Sequence, residues 1–330
     1  MHDKIKNEEL IKLLKLDSDF ISGAEIARAL GVTRAAIWKK IKLLKKSGYR
    51  IETSYSKGYR LTHSPDLSIE EVRNALSDSG QVIGREILFF DTIGSTNTLA
   101  SEYAGKDCPE GTVIIAEHQT GGRGRRGRVW ASPPGANIYM SIIVRPSLCP
   151  RDASLLTLMT AVACAAAVRK LSPIPVSIKW PNDIMVTDKK LGGILTEMKA
   201  DMERISYAVL GIGLNINLDR ADMPDEIKAL ATSVKSETGN AASRTSFIIE
   251  ILKELEHWYA LLLREGRAPV IKEWLRLSST IGRTVTVSTN ADRFTGIAEG
   301  IDDEGMLILR LPDQSTRTIN SGDVVYARSS

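Results

Sequence analysis

The sequence predicts an α+β chain in three parts, from three observations. Hydrophobic spacing is helical over residues 5–46, mixes helix and strand from about Arg85, and is strand-like alone after Trp274. Charge shifts with it: residues 1–63 hold 14 Lys and Arg against 7 Asp and Glu, while the rest holds 30 against 33. The strand candidates in the middle are joined by short connections, which favour hairpins and so a mixed or antiparallel sheet with helices on a face. The expected domains are 1–63, 64–274 and 275–330.

The first part reads as three helices and a hairpin. Ile5, Leu10, Ile11, Leu13 and Leu14 form one amphipathic helix. Ser22 caps a second over Ala24–Leu30, which Gly31 ends, and Thr33 caps a third over Arg34–Lys46, stopped by Gly48. Ile37, Ile41 and Leu44 form the buried stripe of the third helix and leave Arg34, Ala35, Lys39, Lys42 and Lys46 on other faces. Trp38, beside Ile37, is expected to pack inward, although contact with nucleic acid is the other reading. Two short helices with a basic second one, then strand-like runs at 49–53 and 58–61 around Ser54–Lys57, form a winged helix-turn-helix. A basic head suits a polyanion, and a solvated lysine face is the plainer alternative.

His63–Pro65 reads as a linker and Leu67–Leu76 as a short helix capped by Ser68. Strands are expected at 86–90, 112–117, 138–144, 176–180, 184–186, 193–199 and 205–212, and helices at 95–104, 153–171 and 245–265. The apolar run Leu155–Val168 is too short to span a bilayer and reads as a buried helix. Five short strands at 284–288, 293–301, 306–311, 316–319 and 324–327 suggest a small SH3-like barrel.

Composition excludes whole classes. With 330 residues, 43% hydrophobic and 25% charged, the chain is neither disordered nor collagenous. Cys108, Cys149 and Cys164 show no C-x-x-C spacing and His2, His63, His118 and His257 are scattered, so no metal site is expected. The N-terminus has no secretory pattern, and a reducing cytoplasm without membrane attachment is expected.

Five motifs carry the chemistry. Residues 121–128, Gly-Gly-Arg-Gly-Arg-Arg-Gly-Arg, hold four glycines and four arginines. Glycines admit an anion close to backbone amides and arginines neutralise it, which suits phosphate or a nucleotide; a flexible surface loop is the alternative. Gly122, Gly124 and Gly127 match G-x-G-x-x-G, but the following Val-Trp-Ala-Ser-Pro-Pro cannot open the helix a dinucleotide fold needs. Lys179-Trp-Pro-Asn-Asp183 gathers a cation, an aromatic, an amide and a carboxylate, although Pro-Asn-Asp is also good turn chemistry. Lys190-Leu-Gly-Gly-Ile-Leu195 leads a lysine into an apolar strand, and Gly211-Ile-Gly-Leu-Asn-Ile-Asn217 ends a strand in amides. Asp91-Thr-Ile-Gly-Ser-Thr-Asn97 puts hydroxyls and an amide at a helix start, where plain capping is the alternative.

Their order along the chain, from Ser95-Thr-Asn and Gln119 through the arginine loop to Gly211-x-Gly-x-Asn-x-Asn, resembles the biotin protein ligase family. With the winged head and β-rich tail, the chain resembles its bifunctional members, which also repress the biotin operon. The resemblance implies a central sheet like that of class II aminoacyl-tRNA synthetases. It implies ATP, Mg²⁺ and biotin as the small molecules, a biotin carboxyl carrier protein and operator DNA as partners, and a homodimer when biotinyl-5′-AMP is bound. Ser95, Thr96, Asn97 and Gln119 are then expected to hold the biotin ureido ring, and Arg123, Gly124 and Arg125 to cover biotin and phosphate. Lys190 is expected on the biotin carboxylate and phosphate, Trp130 on the adenylate, Asn215 near adenosine, and Asp183 at the incoming amine. Lys190, Arg125 and Asp183 are the catalytic candidates. Ser22, Thr33, Arg34, Ala35, Lys39, Lys42 and Lys57 are the candidate DNA contacts. A ligand-sensing transcription factor without catalysis and a lipoate or octanoate transferase are the rival readings.

Overall fold

The computed structural model describes residues 7–16, 19–46, 48–63, 65–77, 80–289 and 292–326. The chain forms two compact units, residues 1–80 and 81–330. The first runs past the domain boundary expected at 63 and takes in the helix at 69–77.

In the first unit α1 (Asn7–Leu16), α2 (Gly23–Ala29) and α3 (Arg34–Lys46) precede an antiparallel hairpin, β1 (Arg50–Ser54) and β2 (Gly58–His63), and then α4 (Ile69–Ser77). Ile5 lies outside the described residues. Leu10, Leu14, Ile26, Ile37, Ile41, Leu44 and Ile51 share one core, as the helical spacing requires. Ser22 and Glu25 form a reciprocal capping box at α2 (3.1 and 3.0 Å), and the Thr33 hydroxyl accepts from the Ala36 amide at α3 (3.2 Å). Gly58 is required twice over: its φ is +104°, and a Cβ there would stand 2.1 Å from the Ile21 carbonyl, which pairs with Tyr59. The Tyr49 hydroxyl donates to Glu71 and hydrogen-bonds with the Ser68 hydroxyl, and so ties α4 to the end of α3. Trp38 corrects the expected inward packing: it is 56% exposed. Each helical residue turns 100°, so the residue after Ile37 leaves the stripe that Ile37, Ile41 and Leu44 bury.

The second unit is built on a seven-stranded sheet. Its strands are β3 (Ile87–Ile93), β4 (Val113–Gln119), β5 (Ile138–Val144), β6 (Val176–Lys179), β7 (Asp183–Val186), β8 (Lys189–Ala200) and β9 (Ile205–Leu214). The order is β3-β4-β5-β9-β8-β7-β6, parallel only between β3 and β4, which α5 (Thr96–Ala104) connects. This is the expected mixed sheet. On one face Ala100 and Ala104 of α5 pack on Ile114, Ile143 and Val209. The other face is covered by α6 (Ala153–Leu171), which packs against α8 (Arg244–Glu265), with Thr157 of α6 donating to Thr196 of β8 at 2.8 Å. With its preceding turn this helix, Pro150–Leu171, is long and apolar enough to cross a membrane, but most of it is buried inside the protein. Two helices, α7 (Val234–Thr238) and the amphipathic α9 (Ala268–Leu277), had no place in the sequence reading.

The tail forms an antiparallel sheet of β10 (Thr284–Ser288), β11 (Arg293–Ile301), β12 (Leu307–Arg310), β13 (Thr316–Ile319) and β14 (Asp323–Tyr326), ordered β13-β12-β11-β10-β14. Val285, Val287, Ala298, Ile301, Leu307, Leu309, Ile319 and Val324 are its buried apolar residues. Ala327, at the end of the expected last strand, lies outside the described residues.

Candidate active site

Strand register builds the site. Tyr139, Gly213, Gly193, Asp183 and Lys179 are successive cross-strand partners on β5, β9, β8, β7 and β6. Cross-strand partners share a face, so this is one transverse row with two glycines at its centre. The Trp130 indole lies over the glycines: a Cβ on Gly213 would stand 2.6 Å from its Cε2, and one on Gly193 would stand 3.5 Å from Cζ3. Gly211, one turn of the pleat away and opposite Ser141, leaves the room that the Asn97 amide occupies; a Cβ there would be 2.0 Å from Oδ1.

Lys190 and Asp183 meet at the edge of this floor. A register shift where β7 pairs with β8 re-aims Lys190, whose Nζ lies 2.6 Å from Asp183 Oδ1 and 5.4 Å from the Trp130 ring centre. Its backbone is held on the other side by residues 230–232, through Lys190 N–H to Leu230 O (2.7 Å) and Thr232 N–H to Lys190 O (2.9 Å). Asn215 supports that segment, donating from Nδ2 to Thr232 O at 3.0 Å. Lys179 sits beside the pair over the Tyr326 ring, and burial pushes its ammonium below the usual lysine range against the pull of Asp183. Trp180 points elsewhere: it is buried, with its indole N–H donating to Gly305 O at 3.1 Å and its backbone N–H to Thr280 at 2.9 Å.

The second half of the site is a hydrogen-bonded chain. The Thr96 amide and hydroxyl donate to Gln119 Oε1 (2.8 and 3.1 Å), and Gln119 Nε2 donates to Ser132, which donates to Trp130 O. Ser141 Oγ lies 2.8 Å from Thr96 Oγ1 and 2.6 Å from Asn97 Oδ1. Asn97 Nδ2 donates to Leu195 O (3.1 Å) and Glu197 Oε2 (2.8 Å), and Arg123 donates to the same Glu197 oxygen at 2.9 Å. Ser95 is buried at the N-cap of α5, and its side chain makes no capping bond. Thr96, Asn97, Gln119, Trp130 and Arg123 are therefore joined into one network, although they are widely spaced in sequence.

The arginine loop is a tight hairpin. Gly124 N–H donates to Arg128 O (2.7 Å) and Trp130 N–H to Gly122 O (2.9 Å), with Arg126 at the tip in the left-handed region, φ 56°. Arg125 donates to Asn182 Oδ1 (3.1 Å), Gly322 O (3.3 Å) and Ser321 (3.1 Å). Arg126 and Arg128 both pair with Asp323 (3.1 and 2.5 Å). Burial pushes the Arg125 guanidinium below its ordinary range, and Asp323 and Asp183 oppose the shift. The Trp130 indole N–H is buried without a hydrogen-bond partner. A buried donor left unmade is costly.

The family models match in three places: a biotin/lipoate A/B protein ligase family over residues 89–215, a helix-turn-helix domain over 6–60, and a biotin protein ligase C-terminal domain over 280–326. A bifunctional ligase/repressor BirA of Bacillus spizizenii is 40% identical, covering 96% of this chain and 97% of that one. The chain belongs to the biotin protein ligase family. The Escherichia coli bifunctional ligase/repressor is 34% identical over 94% of each chain. The biotin protein ligase of Aquifex aeolicus, solved in complex with biotin and ATP, has a TM-score of 0.64 at 25% identity, covering 74% of this chain and all of that one.

Of this ligase's candidate DNA contacts, Arg34, Ala35, Lys39, Lys42 and Lys57 are exposed. The Ser22 and Thr33 hydroxyls are engaged as helix caps. The Lys46 side chain lies outside the described residues. Sequence reading missed Glu197, Ser132, Ser141 and Asp323. Each is a single polar residue in a strand, tight turn or loop with no spacing signal of its own, and only the strand order brings it to the site.

Proposed function

We propose that the ligase joins biotin to ATP as biotinyl-5′-AMP and passes the biotinyl group to one lysine of a biotin carboxyl carrier protein. It also acts as a DNA-binding repressor with the adenylate as corepressor. The observation that carries the proposal is the Lys190–Asp183 pair set against Trp130 on a glycine floor beside the arginine hairpin.

In the first step a biotin carboxylate oxygen attacks the α-phosphorus of ATP, the bond to the bridging oxygen breaks, and pyrophosphate leaves. Both reactants are anions, so cations must offset their repulsion. Lys190 stands where the carboxylate and α-phosphate meet, with Arg123 and Arg125 above. The Thr96, Gln119 and Asn97 chain orients the ureido ring, and Trp130 offers its ring face to the adenylate. Mg²⁺, carried on the triphosphate, supplies further charge neutralisation. Among the described residues no three His, Cys, Asp or Glu gather to cage an ion.

In the second step the carrier lysine nitrogen attacks the acyl carbon and AMP leaves. Free lysine has a pKa of ~10.4, so only about one amine in a thousand is neutral at pH 7. Asp183 is the carboxylate in position to orient that amine and take its proton. The hairpin shields the anhydride from water. The partners proposed are the carrier protein, operator DNA and a second copy of the chain, in a cytoplasmic setting. Intact mass tests the reading: with ATP, Mg²⁺, biotin and a carrier domain, the carrier gains one biotinyl group. An unchanged carrier overturns it, and a gain from lipoate or octanoate in place of biotin assigns the other acyl substrate.

A further inference from the structure

We infer that Trp38 is an apolar base contact of the recognition helix, reading a thymine methyl group in the major groove of operator DNA. The inference rests on the DNA-binding reading above and goes beyond it by naming a residue outside the basic set. Ile37, Ile41 and Leu44 turn one face of α3 into the core. Ala35, Lys39 and Lys42 lie on the opposite, exposed face. Trp38 flanks that face on the side where Lys45 donates to Thr53 of β1 at 3.0 Å, so its indole stands between the outward helix surface and the wing.

An indole that is 56% exposed on a helix costs hydration unless something covers it. The Lys42 ammonium lies 5.4 Å from the ring centre. That contact sets a cation against the ring and still leaves the residue more than half exposed. The surroundings select the occupant. Residues 1–63 carry 14 basic against 7 acidic side chains, and Arg34, Lys39, Lys42 and Lys45 are exposed on α3, which repels a basic partner and suits a polyanion. A B-form major groove admits a helix and presents one purely apolar feature, the thymine methyl. A lysine paired with a phosphate fixes position without reading sequence, whereas the ring, which has no charge to pair with phosphate, is suited to an apolar base-edge contact.

The test starts from a duplex selected out of a randomised pool by the full chain with biotin and ATP. Binding is then measured over a salt series for wild type, Trp38→Ala, Trp38→Phe and Lys42→Ala. Trp38→Ala is expected to weaken binding about ten-fold with an unchanged salt slope, while Trp38→Phe keeps most of the affinity. Lys42→Ala is expected to lower the slope by about one. Replacing one thymine per half-site with deoxyuracil, which removes only the methyl, should weaken the wild type and leave Trp38→Ala unaffected. Wild-type affinity for Trp38→Ala overturns the inference. So does a salt slope that falls with the affinity, since the ring would then only seat Lys42. Selection of no duplex by the wild type overturns the DNA-binding reading and this inference together. Adenylation and melting temperature, both expected unchanged, show that the variants are folded.

Discussion

In the proposed reaction Lys190 carries the central charge, and the residues around it explain why its ammonium stays in place. Asp183 holds it at 2.6 Å, residues 230–232 fix its backbone, and the glycine floor leaves room for the reacting groups. Lys190→Ala is expected to slow adenylate formation by about 10²-fold, the usual scale for losing a charge-stabilising group, in a single-turnover assay of pyrophosphate release. A variant with the wild-type rate removes Lys190 from the first step. Glu197 works differently. One of its oxygens accepts from both Asn97 and Arg123, so it sets the orientation of the Asn97 amide, proposed to face the ureido ring, and the position of the first loop arginine. Glu197→Gln keeps an acceptor for Asn97 but removes the counter-charge of Arg123. The biotin KM should rise several-fold with kcat much less affected, as expected for lost positioning in the bound ground state. A fall in kcat at constant KM contradicts that role.

At the scale of elements, the arginine hairpin is held by the tail sheet more than by its own bonds. Ser321, Gly322 and Asp323 hold three of its four arginines, and Ser288 accepts from Arg126 at 3.0 Å. A cover fastened from a separate sheet can open without disturbing the central one. Arg125→Gly is therefore expected to release biotinyl-5′-AMP and to label lysines of bystander proteins, while adenylate still forms. Asp323→Asn, which loosens the tip but leaves Arg125 in place, should leak less than Arg125→Gly and more than wild type. Mass spectrometry of a mixture with an unrelated lysine-rich protein ranks the three. Strict carrier specificity in both variants contradicts the role of the loop as a cover.

At the scale of the molecule, the unit boundary after Gly80 makes a prediction that a boundary at 63 does not. Cutting after residue 63 removes Tyr49, the partner of Ser68 and Glu71, and strands α4. Residues 81–330 should therefore melt at a higher temperature than 64–330, adenylate biotin, and lose specific DNA binding. Thermal melts and adenylation rates of the two fragments check this, and a 64–330 fragment that is the more stable one contradicts it. Coupling between the units is measured by operator affinity at fixed salt with and without biotin plus ATP. A single winged module makes few base contacts, so pairing of two chains by the adenylate should strengthen binding by about 1–3 kcal/mol. By reciprocity operator DNA should tighten adenylate binding by the same factor. Equal operator affinity in both conditions leaves the ligase reading intact and removes biotin as corepressor.

The elements were legible because their causes are local. Helical spacing located α3 and α6, alternation located most strands, and the five motifs announced themselves by composition within a few residues. Spacing did not reveal α7, α9, the start of β8 at Lys189, or the outward position of Trp38 next to a core isoleucine. Tertiary structure alone decided which residues meet. Gly213, Gly193 and Asp183 form one row because β9, β8 and β7 are neighbours in this order and register. Glu197 reaches Asn97 and Arg123, and Asp323 reaches the hairpin, across 74 or more residues of chain. Backbone geometry and side-chain periodicity act within a turn or a strand, so one stretch of sequence suffices to state them. Contacts across strands depend on register, and a one-residue slip would turn every partner to the opposite face.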